Sequence, residues 1–252
     1  MKRTVCVPDL QVPLHDPVAV ANVARFIKAY KPDSVVTLGD EADFTEIGRW
    51  SEGKPGWYEQ TLAENRDMTV NILWQLGEYA KEQHMIRSNH TDRLFNVIMN
   101  KIPSFLSLPE LKFEKFMRLD ELGITYHKKP YAVARGIVAV HGDEGSVKPT
   151  PGLTALEAAR RQGISVICGH THRAGQSAFT EASGGKIGRI LRGWEGGHLM
   201  DVRQAHYTKG TMNWQQAFIV IEEIGTNVQV SIINLEKDGT FVVSGKRYGR
   251  AR

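Results

Sequence analysis

Apolar residues recur along this chain in short runs that each break off into polar residues. The first run, Thr4 to Val7, stops at Pro8-Asp9. From Val18 to Tyr30 the period changes. Apolar residues at positions 20, 23, 24, 27 and 30 give one helical face, with Asp16 placed to cap it and Pro17 at its first position. Pro32 ends that helix, and the β-branched run from Ser34 to Leu38 leads into Gly39-Asp40. Strand, helix and strand in so short a stretch predict a βαβ unit. Residues 57 to 83 read as one long helix carrying Leu62, Met68, Ile72, Leu73, Leu76 and Tyr79. Met85-Ile86 is a short apolar run that breaks into Ser88-Asn89-His90. Asp92 to Lys101 has helical spacing until Pro103, and a further helix is predicted over Leu111 to Leu119.

Beyond Tyr131 the runs are strand-like. Ala132-Val133-Ala134 and Ile137 to Val140 meet at Gly136, and the second ends in His141-Gly142-Asp143. Residues 153 to 162 are Ala-rich and helical. Ile164 to Cys168 is again an apolar strand, ending in Gly169-His170-Thr171-His172. Strand-like runs follow at 217–222, 227–233 and 240–244. Five strands therefore end in polar clusters: Asp9, Gly39-Asp40, Asn89-His90, His141-Gly142-Asp143 and Gly169 to His172. Ligands of α/β sheets sit outside the carboxyl ends of strands, so five such ends can converge on one site. Among these residues, Asp9, Asp40, Asn89, His141, His170 and His172 offer two carboxylates, an amide and three imidazoles. Mixed oxygen and nitrogen donors suit divalent Mn, Fe, Zn, Co or Ni, and no thiolate set is present for a structural zinc site.

Composition narrows the class. Of 252 residues, 41% are hydrophobic and 24% charged, which excludes a disordered, collagen-like or coiled-coil chain. The length fits a single domain over 1–252, with a helical segment around 50–120 and a basic tail, GKRYGRAR, at 245–252. No run of about 18 apolar residues appears, so no membrane span is expected. Only Val5 to Val7 follow the basic Lys2-Arg3, so no secretory leader is expected either. Cys6 and Cys168 lie inside apolar runs and read as reduced core thiols of a cytoplasmic protein. Lys and Arg outnumber Asp and Glu by 32 to 28, a net charge of +4 that permits an anionic substrate without requiring nucleic acid.

The ordered set Asp9, Gly39-Asp40, Ser88-Asn89-His90, Val140-His141-Gly142-Asp143 and Gly169-His170-Thr171-His172 resembles the calcineurin-like metallophosphoesterase superfamily, in its small phage and bacterial form. That superfamily's pattern is D-x-H, G-D, G-N-H, a lone H often followed by G, and G-H-x-H. The resemblance implies a mixed α/β fold, a four-layer αββα sandwich of two mixed sheets flanked by helices. It also implies two divalent ions, manganese foremost. Asp9, Asp40 and His172 would hold the first, with Gln11 as a further ligand, and Asp40 would bridge to a second held by Asn89, His141 and His170. His90 would bind no metal and would protonate the leaving oxygen.

Three positions depart from the pattern. Gln11 stands where the superfamily usually has His. Ser88 replaces Gly before Asn89, and Thr91 replaces the acidic residue that often orients the histidine, leaving Asp92, Asp43 or Asp16 to do so. His15, on the loop of Gln11, and Arg93 are candidate substrate contacts, as is Arg87. The remaining histidines read as structural, although His198 follows a glycine-rich turn and can line the pocket. Trp50, Trp57 and Trp74 read as packing residues.

The implied activity is hydrolysis of small phosphodiesters, cyclic nucleotides or 2′,3′-cyclic phosphates, by a metal-bridging hydroxide. The rivals are a phosphomonoesterase of the Ser/Thr phosphatase kind, a nuclease, and a metal-poor scaffold to which Gln11 alone points. The expected partner is a small phosphodiester or nucleotide, with nucleic acid a further candidate and no membrane. The expected location is the cytoplasm, that of the host if the gene is carried by a phage.

Overall fold

Side-chain alternation along β1 (Lys2–Val7) and β2 (Ser34–Thr37) decides how the layers stack. Successive residues of a strand point to opposite faces. Val5, Val7 and Val35 pack on helices α1 (Pro17–Tyr30) and α2 (Leu62–Gly77), through Val23, Phe26, Ile27 and Leu76. Cys6 and Val36 point the other way, into a core shared with Ile137, Ala139, Ile167 and Trp194. The computed structural model from which these contacts come describes residues 1–47, 61–205 and 212–250.

Two mixed sheets result. In the first, β3 (Glu82–Ile86) and β4 (Ile124–His127) extend β1 and β2 in parallel. On the other side of β1, β10 (Ala217–Ile224) and β11 (Asn227–Asn234) add antiparallel strands. The second sheet runs β5 (Tyr131–Ala134), β6 (Ile137–Val140), β7 (Ser165–Cys168), β9 (Lys186–Gly196) and β8 (Ala174–Ser183). Within it β6, β7 and β9 are parallel. Helix α5 (Leu153–Gln162) covers its outer face through Ala155, Leu156 and Ala159, which pack on Val140, Val166 and Cys168. Helix, sheet, sheet, helix is the expected four-layer sandwich. No helix among the described residues is long and apolar enough to cross a membrane.

Several boundaries differ from the sequence reading, each for a physical reason. Helix α1 begins as expected, with Asp16 Oδ1 accepting from the N–H groups of Val18 (3.0 Å) and Ala19 (3.2 Å). Helix α2 starts at a capping box, Thr61 with Glu64, and stops at Gly77 because Glu82 onward is drawn into β3 between two neighbouring strands. Trp74 on α2 is 51% exposed rather than packed. The helix expected over Leu111 to Leu119 shrinks to one turn, α4 (Phe113–Phe116). Strands β4, β8 and β9 were not expected. Trp50, Trp57 and His206, the start of the expected 57–83 helix, and the last two residues of the basic tail lie outside the described residues.

Asp16 Oδ2 also accepts from Gln216 Nε2 at 2.9 Å, so this one carboxylate caps α1 and ties it to the loop before β10. Asp16→Ala is expected to lower the unfolding free energy by about 1–2 kcal/mol. The check is a urea titration in which the midpoint falls while the slope stays unchanged.

Candidate metal centre

Loops leaving the carboxyl ends of β1, β2, β3, β6 and β7 carry the polar clusters, and short backbone bonds zip the first two together. Gln11 N donates to Asp40 O (2.8 Å), Val12 N to Glu41 O (2.9 Å) and Asp43 N to Val12 O (2.9 Å). Asp9 and Asp40 are thereby held side by side and are both buried. Asp9 Oδ1 and Oδ2 each lie 3.0 Å from the donating N–H of His170, which couples the β1 loop to the β7 loop of the other sheet.

Two groups of side chains converge here. Asp40, His141 and His170 each offer a donor atom within 4.8 Å of the others, and so do Asp9, Asp40 and His172. Asp40 belongs to both. His141 Nδ1 donates to Leu38 O at 2.8 Å, which orients the ring and turns Nε2 inward. There Nε2 meets Asn89 Oδ1 (2.9 Å), Asp40 Oδ1 (3.3 Å) and His170 Nδ1 (3.2 Å). A carboxylate, an amide oxygen and two imidazole nitrogens thus aim lone pairs at one small volume, an arrangement that calls for a cation. Without one, a proton takes the place. Burial opposes a charge on His141, yet Asp40 and Asp9 push its pKa up to about 10. Burial alone would raise the Asp40 carboxyl, but His141 and His90 hold it well below the usual carboxylate range. This donor set fits divalent ions of the first transition row.

The backbone is strained where these candidate ligands sit. Among the described residues nine non-glycine residues have positive φ, and five of them are Asp9, Gln11, Asp40, His170 and His172. A left-handed backbone costs roughly 1–2 kcal/mol per residue and concentrates at functional sites. The neighbouring glycines are sterically required. A Cβ on Gly39, at φ +93°, would meet His141 Nδ1 and Ser88 Cβ, both at 2.6 Å, and one on Gly169 would meet Asp9 Oδ2 at 2.4 Å.

His90 stands beside Asp40, with Nε2 3.7 Å from Asp40 Oδ2. Of the three acids proposed to orient it, Asp43 is the one present: its Oδ1 lies 3.3 Å from His90 Nδ1, an electrostatic contact rather than an aligned hydrogen bond. Asp16 caps α1, and Asp92 pairs with Arg87. Burial holds His90 below the usual imidazole range, helped by Arg93 and His141 against Asp40 and Asp43. Arg93 Nη2 lies 2.6 Å from His90 Nε2, and its Nη1 donates to Asp43 O. Arg87 is held between Asp92 and Asp143 on helix α3 (Thr91–Lys101) and the β6 loop, so it braces the loops.

The departures from the superfamily pattern also acquire functions. Ser88 Oγ accepts from Asp40 N (3.0 Å) and Thr91 N (3.2 Å), so its hydroxyl fixes the β2 loop and the start of α3 together. Thr91 Oγ1 turns back onto Ser88, accepting from its N–H at 2.9 Å, and does not reach His90. Gln11 presents Nε2 to Asp40 Oδ2 (3.0 Å) as a donor, while its Oε1 is buried without a hydrogen-bond partner. As a ligand it would have to turn that oxygen inward. His15 pairs with Met200 through the backbone, and no hydrogen bond ties its ring to the candidate ligands.

Two aromatic neighbours were not assigned to the centre from sequence. His198, whose ring is 5.8 Å from that of His172, accepts from Met200 N at Nδ1 (3.0 Å). Burial and His172 push its pKa down to about 3, so it is a neutral ring with its proton on Nε2. Trp214 stands edge-on to His172 at 4.4 Å. The glycine-rich turn before His198 was its only sequence signal, and Trp214 had none.

No protein-family model matches the chain. Vacuolar protein sorting 29 from Cryptosporidium parvum aligns with it at a TM-score of 0.51 and 14% identity, covering 99% of this chain and 98% of that one. The fold is that of the calcineurin-like metallophosphoesterases. The sequence is 32% identical over 250 residues to the Gene 54 protein of Mycobacterium phage D29, with 97% of each chain covered. It is 30% identical over 253 residues to the Gene 54 protein of Mycobacterium phage L5, covering 97% of this chain and 98% of that one. The chain belongs to this Gene 54 family.

Gly39→Ala is expected to expel His141 or Ser88 from its place and to disfavour the left-handed turn before Asp40. A loss of more than about 2 kcal/mol of stability should accompany a loss of bound metal. Thermal unfolding with and without EDTA, alongside elemental analysis of the purified protein, measures both.

Proposed function

We propose that this chain is a phosphoesterase that uses two divalent ions, Mn²⁺ foremost, to hydrolyse small phosphodiesters such as cyclic nucleotides or 2′,3′-cyclic phosphates. The observation that carries the reading is the sharing of Asp40 between two donor groups, with His90, Asp43 and Arg93 alongside. Asp9, Asp40 and His172 would hold one ion, with Gln11 if its amide turns, and Asp40, Asn89, His141 and His170 the other. When bound, the ions would supply an acidified water and positive charge for the phosphoryl oxygens.

The chain's own groups do the rest. Arg93 already lies against His90 Nε2, and an incoming phosphate would draw the guanidinium onto its oxygens by charge-assisted hydrogen bonds. With the guanidinium drawn away, His90 Nε2 would be free to take up a proton from solvent, a charge that Asp40 and Asp43 favour against burial, and would deliver it to the leaving oxygen, with Asp43 keeping the ring in place. A diester carries one negative charge where a monoester carries two. Of the two arginines that flank Asn89-His90, Arg87 is neutralised by Asp92 and Asp143, while Arg93 pairs among the described residues only with Asp43, at 3.7 Å, and is the freer of the two for the substrate. That balance supports diesters over monoesters such as phosphoproteins.

Metal content and a substrate panel test the reading. With Mn²⁺, bis(p-nitrophenyl) phosphate should be hydrolysed faster than p-nitrophenyl phosphate, and 2′,3′-cyclic nucleotides faster than linear oligonucleotides. The opposite order would favour the monoesterase or the nuclease, and a purified protein that takes up no metal would favour a scaffold. His90→Ala should slow esters with alkoxide leaving groups about 10²–10⁴-fold more than nitrophenyl esters, which depart without a proton. Equal losses on both would remove His90 from the acid role.

A further inference from the structure

The two histidines of the Gly169-His170-Thr171-His172 turn belong to different donor groups, and the residue between them points away from both. Thr171 is 4% exposed, and its Oγ1 donates to Glu195 Oε2 at 2.8 Å. The same hydroxyl accepts from Arg173 N at 3.3 Å, and Thr171 N donates to Gly169 O at 2.7 Å. Glu195, on β9, is fully buried. Its second oxygen, Oε1, accepts from Thr154 N at 2.8 Å, an N–H of the first turn of α5. A buried carboxylate needs such partners, and a helix N-terminus favours its charge. Thr154 is itself fixed, because its Oγ1 accepts from Lys148 N at 2.9 Å on the loop after β6.

We infer that Glu195 is a positioning residue for both metal sites, acting through Thr171 to hold His170 and His172 in their left-handed conformations. The inference rests on the two-ion reading above. His170 and His172 have φ of +65° and +55°, a backbone that L residues leave unless something holds them. Glu195 supplies that hold without touching an imidazole. Its charge is anchored in turn by α5, so the helix on the outer face of the second sheet is mechanically linked to the ligands. Loss of a ligand such as Asn89 should weaken one ion. Loss of the Glu195–Thr171 bond should loosen both together, because each ion depends on one of the two histidines.

The test is calorimetric titration of the metal-free, full-length protein with Mn²⁺ alone, paired with the melting temperature of the same metal-free samples. Thr171→Val keeps the shape and removes the hydroxyl. Both affinities are expected to fall about 10–100-fold, the usual effect of losing a group that orients a ligand. Thr171→Ser restores the donor and is expected to bind within about threefold of wild type, while Glu195→Gln should resemble Thr171→Val. Should Thr171→Val fail to fold, Thr171→Ala serves in its place. Affinities equal to wild type in the hydroxyl-less variants, even with a lowered metal-free melting temperature, would leave Glu195 a purely structural residue and overturn the inference. A Thr171→Ser protein as weak as Thr171→Val would overturn it as well. A wild-type chain that binds no Mn²⁺ would bring down the two-ion reading itself and the inference with it, a result distinct from equal affinities.

Discussion

Lone pairs of Asp40, Asn89 and His170 converge on His141 Nε2 at 2.9 to 3.3 Å at the seam between two sheets, and the surrounding frame has to hold that crowding in place. Acceptors at such distances repel in a buried place unless a positive charge lies among them. The chain alone meets the demand with a proton on His141. A divalent ion held by these residues would meet it with twice the charge. The same crowding explains why Asp40 stays ionised despite its burial: the His141 imidazole beside it takes up positive charge.

Holding acceptors against their repulsion needs a stiff frame, and the frame is assembled from both sheets. The β1 and β2 loops share three backbone hydrogen bonds, and the β1 carboxylate receives the N–H of His170 from the other sheet. The inner faces of the strands, Cys6, Val36 and Leu38 against Ile137, Ala139 and Ile167, weld the sheets just beneath the site. Local strain at the five candidate-site residues of positive φ is therefore offset by ordinary packing a few residues earlier in each strand. This is also why the glycines precede the ligands: at Gly39 and Gly169 the space a Cβ needs is already filled by the ligands of other loops.

What could be read from the sequence was what short-range patterns encode. Strands β1, β2, β6 and β7 are apolar runs buried on both faces, and each stops at a polar cluster, so their ends could be recognised together. The hairpin of β8 and β9 could not be read that way. Most of β8 is exposed or half-exposed, so it shows no apolar alternation, and β9 is exposed along its first half and buried only at its end. Its one legible signal was Gly184-Gly185, both at positive φ, a pair suited to a tight hairpin turn. Missing β9 meant missing Glu195, whose contact with Thr171 spans 24 residues and leaves no local trace. Asp43 was visible as one of three acids, but only the fold could choose it. Asp16 and Asp92 are no farther away in any pattern, yet each is already occupied, one by a helix N-terminus and one by Arg87.

The positions that depart from the superfamily pattern show how such a site tolerates change. With Thr at 91, the side chain after His90 folds back on Ser88, and the acid beside the imidazole comes from the β2 loop instead. Ser at 88 adds a hydroxyl where the pattern has none, and that hydroxyl receives the N–H of Asp40, the residue common to both donor groups. The two residues bond reciprocally, each side chain to the other's backbone: Thr91 N–H donates to Ser88 Oγ, while Thr91 Oγ1 accepts from Ser88 N–H and donates to Ser88 O. Gln11 has no such reciprocal partner. Its amide nitrogen is engaged by Asp40 while its oxygen is buried and unpaired among the described residues, so one half of the side chain is satisfied by the site as it stands and the other half is left for a partner that none of those residues provides.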